Sequence, residues 1–400
     1  MTGGRVHLAV AATFCAVVGL YDLLYFGFVF VNGPIIGPRV DVLFPDFLVF
    51  HAAARAFFEG KLALVYDIDA FTNFQAAIWP DRLPNGAVFR PFFYPPIFLL
   101  MLLPLGLLAV GKAFTIFMTV TAALATALEG WRDLWGWLAI VTSPAAVWVV
   151  IAGQNTFLSI ALLYGGLHLL ERSAVAAGVL LGLLSFKPQI WVLVPLALLA
   201  ARQWRALGWM VATVAALTLA SLAVFGWNFC VAFLDAMLLA GSPQIAEEMF
   251  RRTFMHMTTL LAAARIVGLP PAVAGIIQLA GAVLAIAAVW WAFRHHGPGP
   301  ARTAVLVTAT FLVSPYTLNY DLLLLMPAVV GLFRLGVAWG FYPGERVVYA
   351  AIWLIATASL VLNHLGLPIT PLLVLLLGTI AWMRLQAAAK VELPKPVSAG

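Results

Sequence analysis

The chain has 400 residues, of which 64% are hydrophobic and only 10% charged, with a formal net charge of +6. Soluble domains are about one quarter charged, so this composition excludes a water-soluble globular protein and indicates an integral membrane protein. The basic excess forms no dense stretch, which sets aside nucleic-acid binding and leaves membrane orientation as its role.

The first apolar run, 7–30, is too long for a signal-peptide core and has no small-residue cleavage site behind it. It reads as a retained first span, interrupted by Asp22, for which Tyr21 or Tyr25 is a hydrogen-bonding partner. It opens into a loop of about sixty residues, 31–93, rich in aromatics. Long ordered loops in compact domains are usually functional. Within it, DFLVFHAAARAFF and DIDAFTNFQAAIW (67–79) read as two helices lying along the membrane interface. Asp46, at the head of the first, has two readings. It is a helix N-cap, or a partly desolvated carboxylate with the raised proton affinity that suits a general base.

Further apolar runs fall at 94–110, 113–129, 134–151, 154–171, 174–200, 206–226, 259–293, 302–318, 320–335, 346–362 and 367–385. The run 94–110 begins YPPIF and carries Pro104, which predicts a juxtamembrane hairpin rather than a span. Gln154-Asn155, in AGQNTF, offers two amides at the end of a span, to bond sugar hydroxyls or to cap the next helix. Lys187-Pro188 breaks 174–200 into two short pieces, and broken helices at membrane depth mark protein-walled cavities. A lone ammonium there snorkels to the interface or meets an anion such as a lipid phosphate.

The second long connection, 227–258, carries Glu247-Glu248 and Arg251-Arg252, an amphipathic charge cluster that meets headgroups or helps hold a phosphate-bearing donor. In SPYTLNYDLLLLMP, Asn319, Tyr320 and Asp321 enter an apolar segment. Asp321 needs a cationic partner there, with Lys187 and Arg265 as candidates. His51, His256 and His364 show no metal-ligand spacing and read as satisfied interfacial histidines. Cys15 and Cys230 read as unpaired thiols. No P-loop, GxSxG or dinucleotide fingerprint is present. The Ala/Pro-rich tail 386–400 is expected to be disordered, and 1–385 to form one transmembrane domain.

Orientation follows from basic residues in short loops. One side collects twelve basic and five acidic residues, including Arg132, Arg172, Arg205, Arg294, Arg302, Arg334 and Arg384. It is read as the cytoplasm and holds both termini. The connections 31–93 and 227–258 then face outward with seven basic and nine acidic residues. This requires that 94–110 does not cross fully and that 174–200 crosses twice.

The motifs in order carry a resemblance. PDFLVFHAAARAFFEGKLALVYD, FFYPPIFLLMLLPLGLL, AGQNTFLSIALL, AGVLLGLLSFKPQIWVLVPLALL with RQWR, and SPYTLNYDLLLL resemble the successive signatures of glycosyltransferase family 87, over about residues 40 to 330. The apolar runs amount to about 11–13 membrane-spanning segments, and the resemblance implies the GT-C fold, an all-α polytopic bundle with a long outer first loop carrying interfacial helices. It implies inverting transfer of a hexose, mannose in the best-known members, from a polyprenyl-phosphate donor to a glycolipid or cell-envelope glycan. The reaction would take place on the outer face of a bacterial cytoplasmic membrane. By match, Asp46 would be the base and Lys187 would lie near the donor phosphate, with Tyr320, Arg251 and Arg252 as further phosphate contacts. His51, Tyr94, Gln154, Asn155, Asn319 and Asp321 would meet acceptor or sugar.

Many members carry a histidine after the Ser-Pro of the last motif, where this chain has Asn319-Tyr320-Asp321. Tyr320 then substitutes for it, or the donor sits differently. Asp67-Ile68-Asp69 has the DxD pattern but lies in the interfacial loop, so neither metal nor cofactor is expected. The protein would act as a monomer in the bilayer. Two rival readings are a multi-span transporter, which predicts internal repeats not seen here, and a non-catalytic lipid- or glycan-binding protein of the same fold.

Overall fold

The computed structural model describes residues 45–79, 90–130 and 134–392, with isolated positions (Thr13, Val17, Gly19, Leu20, Leu24) of an N-terminal helix. The expected first span with Cys15 and Asp22 therefore lies largely outside the described residues, as do Arg132 and residues 393–400. Among the described residues the chain is helical without strands, an all-α polytopic membrane fold.

Helices α1 (Pro45–Phe58) and α2 (Ile68–Ile78) are the two expected in the long loop. Between them Gly60 takes φ +68°, a left-handed turn conformation open to glycine. Asp67 caps α2, its Oδ1 accepting from the Ala70 amide at 2.9 Å, which gives the DxD pattern a structural role. Helix α1 is covered by protein. Nine of its fourteen residues are buried, because its apolar residues run around most of the helix and leave no polar face for water. Phe47 and Phe50 pack edge-on against Phe114 and Phe98.

Helix α3 (Pro96–Gly106) is only 11 residues long, about 16 Å at 1.5 Å per residue, too short to span a ~30 Å core. This agrees with the expected incomplete crossing. Helix α4 (Val110–Ala125) follows. The run 134–151 is bent by 51° into α5 (Leu134–Val141) and α6 (Pro144–Ala152), with Ser143 capping α6 and Pro144 opening it. After α7 (Thr156–Leu169) and α8 (Ala174–Leu183), a 3-10 turn ends at Lys187, and α9 (Pro188–Trp191) and α10 (Val194–Ala200) follow. Trp191 Nε1 donates to the Leu181 carbonyl at 2.9 Å. Ten residues of straight helix would separate them by about 15 Å, so the chain folds back at the break.

Helix α11 (Trp204–Phe225) packs closely on α8. A Cβ on Gly178 would lie 2.5 Å from the Ala206 carbonyl oxygen, and one on Gly182 2.6 Å from Thr213 Cβ. Small residues four apart let membrane helices approach in this way. The connection 227–258 is largely helical: α12 (Trp227–Ala240) and α13 (Pro243–Thr253) meet at a 74° bend and together are long and apolar enough to form one broken span. The run 259–293 splits into α14 (Leu260–Ile266) and α15 (Pro271–His295), since Gly268 at φ +86° and Pro270-Pro271 stop the helix. Helix α16 (Pro300–Val313) ends before Pro315. A 3-10 segment, Asn319–Leu325, leads into α17 (Met326–Trp339), followed by α18 (Glu345–His364) and α19 (Thr370–Glu392). Helix α19 thus runs into the segment expected to be a disordered tail, which is helical as far as Glu392.

Among the described residues six helices are long and apolar enough to cross a membrane, or eight if each bent pair is one span. The expected 11–13 spans counted apolar runs that Pro and Gly cut into helices of 10–17 residues. Leu238, Ile276 and Leu284 are largely exposed, as befits surfaces that face lipid tails.

Candidate active site

Asp46 lies in the first turn of α1, half-buried, but it does not bond its own helix. Its Oδ2 accepts from Gln154 Nε2 at 2.6 Å, across 108 residues of chain. Gly153, at φ +73°, ends α6 in a left-handed cap and turns Gln154-Asn155 toward α1. The Gln154 amide is a hub. Its Nε2 also donates to the Tyr320 hydroxyl at 3.1 Å, and its Oε1 accepts from the Tyr94 hydroxyl at 3.3 Å. Burial pushes the Asp46 carboxyl above the usual carboxylate range. The Gln154 hydrogen bond opposes this, as do the positive charges of Arg90 and Lys187, while the negative charge of Asp321 adds to it. Arg90 also donates to the Pro45 carbonyl at 3.5 Å, against the start of α1.

One residue on, Asn155 joins a second cluster. Lys187, 1% exposed at the helix break, donates to Asp321 Oδ1 at 2.6 Å and to Asn155 Oδ1 at 3.0 Å. Asp321 Oδ2 accepts from the Leu318 amide at 3.0 Å, which closes the 3-10 turn. Of the two cations considered for Asp321, the structure brings Lys187; Arg265 pairs with Glu247 instead. The Lys187 ammonium stands 5.9 Å from the Tyr320 ring centroid, so Tyr320 touches both clusters.

His256 enters from the second connection. Its Nδ1 lies 3.3 Å from Asn319 Oδ1, and its ring meets Trp148 edge-on at 5.7 Å. Asn363 of α18 holds this turn by donating from Nδ2 to the carbonyls of Phe254, Met255 and Met257 at 3.0–3.1 Å. The Thr258 amide donates to the Thr317 carbonyl at 3.1 Å, lacing the turn to the segment that precedes Asn319.

The structure therefore gathers Asp46, Tyr94, Gln154, Asn155, Lys187, Asn319, Tyr320 and Asp321. It does not bring His51, Arg251 or Arg252 to them. His51 Nε2 bonds the Leu108 carbonyl at 2.8 Å and packs near Trp79, tying α1 to the end of α3. Five residues beyond Asp46, it points about 140° around the helix. Arg251 and Arg252 are exposed and both pair with Glu248. Three residues near the cluster were not chosen as site residues from the sequence: Arg90, His256 and Tyr316, which lies by Thr253 and near Asp46 and Asp321. Of these, His256 was weighed in the sequence as a satisfied histidine, and Tyr316 lay within the quoted SPYTLNYD motif. Among the described residues no three His, Cys, Asp or Glu side chains gather as a metal-ligand set.

This arrangement offers an enclosed carboxylate of raised basicity, oriented by an amide, with hydroxyl and amide groups beside it. That is the equipment for taking a proton from a hydroxyl while a second bond breaks nearby. The profile of glycosyltransferase family 87 matches residues 92–315, more than half of the chain. Gln154, Asn155, Lys187 and His256 fall within the match. Asp46 and residues 319–321 fall outside it and are joined to it by the hydrogen bonds described. Comparison with curated proteins and with solved structures returns no match.

Proposed function

The chain belongs to glycosyltransferase family 87 and has a membrane helical fold, and from this we propose that it transfers a hexose, with mannose the leading candidate, from a polyprenyl-phosphate donor to a hydroxyl of a lipid-linked or cell-envelope glycan. In this reading Asp46 accepts the proton of the acceptor hydroxyl as its oxygen bonds the anomeric carbon. The bond from that carbon to the phosphate oxygen breaks, its electron pair leaves with the lipid phosphate, and the anomeric configuration inverts. In this reading Tyr320 and Asn155 donate hydrogen bonds to the leaving phosphate. Lys187 already has its charge matched by Asp321, so a phosphate would have to share it with that carboxylate. We place the reaction on the outer face of a bacterial cytoplasmic membrane, with both termini inside, and assign it no cofactor.

The observation that carries this reading is the 2.6 Å bond from Gln154 to the half-buried Asp46, whose carboxyl is raised above the usual range. In this reading the bond holds a basic oxygen beside groups suited to a sugar phosphate. The test is transfer from labelled polyprenyl-phosphate mannose by purified protein in lipid, with membrane extract as the acceptor source. Wild type is expected to transfer the label, and Asp46→Asn to lose about 10²–10⁴-fold, the range for a general base. Undiminished transfer by Asp46→Asn would remove the base assignment. Donor binding without transfer by the wild type would favour the non-catalytic reading.

A further inference from the structure

A cavity of about 410 Å³ lies between α5, α7, α16 and α17. It is separate from the Asp46 cluster. Asn155 stands at the start of α7 and His168, which lines the cavity, at its end, about 20 Å further along at 1.5 Å per residue.

Its wall contains Arg302, a residue only 7% exposed. Arg302 donates to the His296 carbonyl at 2.9 Å and stacks over Phe293 at 4.6 Å. Among the described residues no carboxylate lies within ion-pair distance of it, although Glu171, on the same wall, is near enough for its charge to be felt. A buried cation held by one carbonyl and one ring is costly unless an anion completes it. Arg334 lines the same space, and the N-terminus of α16, Gly299-Pro300, opens onto it. Guanidinium pairs and helix N-termini both suit phosphate. The remaining wall is apolar, with Trp137 and Ile140, and the volume exceeds what a bare phosphate fills. Basic pockets between membrane helices bind anionic headgroups.

We propose that this cavity binds a phosphate-bearing amphiphile, with its phosphate at Arg302 and Arg334 and its apolar part against Trp137 and Ile140. The site depends on neither Asp46 nor the transfer reaction. The same chemistry is met by a lipid headgroup or by a soluble phosphate compound, and the test separates them.

Thermal unfolding of the full chain in neutral detergent is followed while short-chain phosphatidylglycerol, diacylglycerol of equal chain length, or inorganic phosphate is titrated in. Phosphatidylglycerol is expected to raise the unfolding temperature saturably by a few degrees, and diacylglycerol not to. Arg302→Gln, which removes the cation, and Thr303→Trp, which fills the cavity, are expected to abolish the response. Arg205→Gln, an exposed charge change elsewhere, is expected to keep it. A response to inorganic phosphate with the same dependence identifies a soluble phosphate compound as occupant; a response to the lipid alone identifies a headgroup. The proposal is overturned if wild type responds to neither, if diacylglycerol acts as well, or if the response survives in Thr303→Trp, which decides alone should Arg302→Gln fail to fold.

Discussion

Burial and hydrogen bonding act in opposite directions on the Asp46 carboxylate. Desolvation favours the protonated form, and the Gln154 N–H favours the charged form. A base works only when deprotonated, so transfer should fall as pH drops through the raised pKa of Asp46. Gln154→Leu removes the bond that lowers this pKa and leaves burial in place. The acid limb of the kcat/KM profile should therefore move to higher pH than in wild type. An unmoved limb would show that Gln154 does not set the basicity of Asp46. Asp46 was legible in the sequence as an anomaly, a charge at the mouth of an apolar helix, with capping as one reading. The structure gives it a partner 108 residues away instead of a cap. Such a contact leaves no local pattern, which also explains why His256 was read only as a satisfied histidine, without its contact to Asn319.

At the scale of elements, the break at Lys187-Pro188 is held by a long-range ion pair. The pair joins the fold-back between α8 and α9 to the 3-10 turn before α17, with Lys187 1% exposed. Removing one partner strands a buried charge. Lys187→Met should therefore cost about 3–5 kcal/mol in unfolding free energy, and the double variant Lys187→Met/Asp321→Leu should recover most of it. If the double variant is no more stable than the single, the pair is not what holds the break. Close helix contact makes a second case: Gly178→Leu would drive a side chain into Ala206 and Trp209 of α11. A loss of about 1–3 kcal/mol, typical of overpacking, should lower the unfolding temperature, and an unchanged temperature would mean that the helices can separate freely. The break itself was readable because proline removes an amide and lysine is costly in lipid. The bends at Ser143-Pro144 and Gly268 carried similar signals, but continuous hydropathy masked them, since lipid and protein interior both accept apolar side chains. For the same reason the apolar sequence of α1 did not reveal that protein covers most of it.

The whole molecule has two chemically distinct ends. One carries the Asp46 cluster and the acidic α2, and the other carries Arg302, Arg334 and the α15–α16 turn. Positive charge in short loops stays on the cytoplasmic side, so the Arg302 end should face inward and the Asp46 end outward. Asp69 and Gly297 report the two ends, because both are exposed and a Cβ on Gly297 meets nothing within 4 Å. In a background with Cys15 and Cys230 replaced by Ser, Asp69→Cys should react with a membrane-impermeant maleimide on intact cells. Gly297→Cys should react only after permeabilisation. Neither change touches the Asp46 or Lys187 clusters, so a labelling pattern can be read beside retained transfer. The reverse pattern would put Asp46 on the cytoplasmic side, where an outward-facing glycan acceptor could not reach it. Labelling of both positions from outside would mean that the two ends do not lie across the membrane, and the proposed orientation would fall with the charge argument behind it.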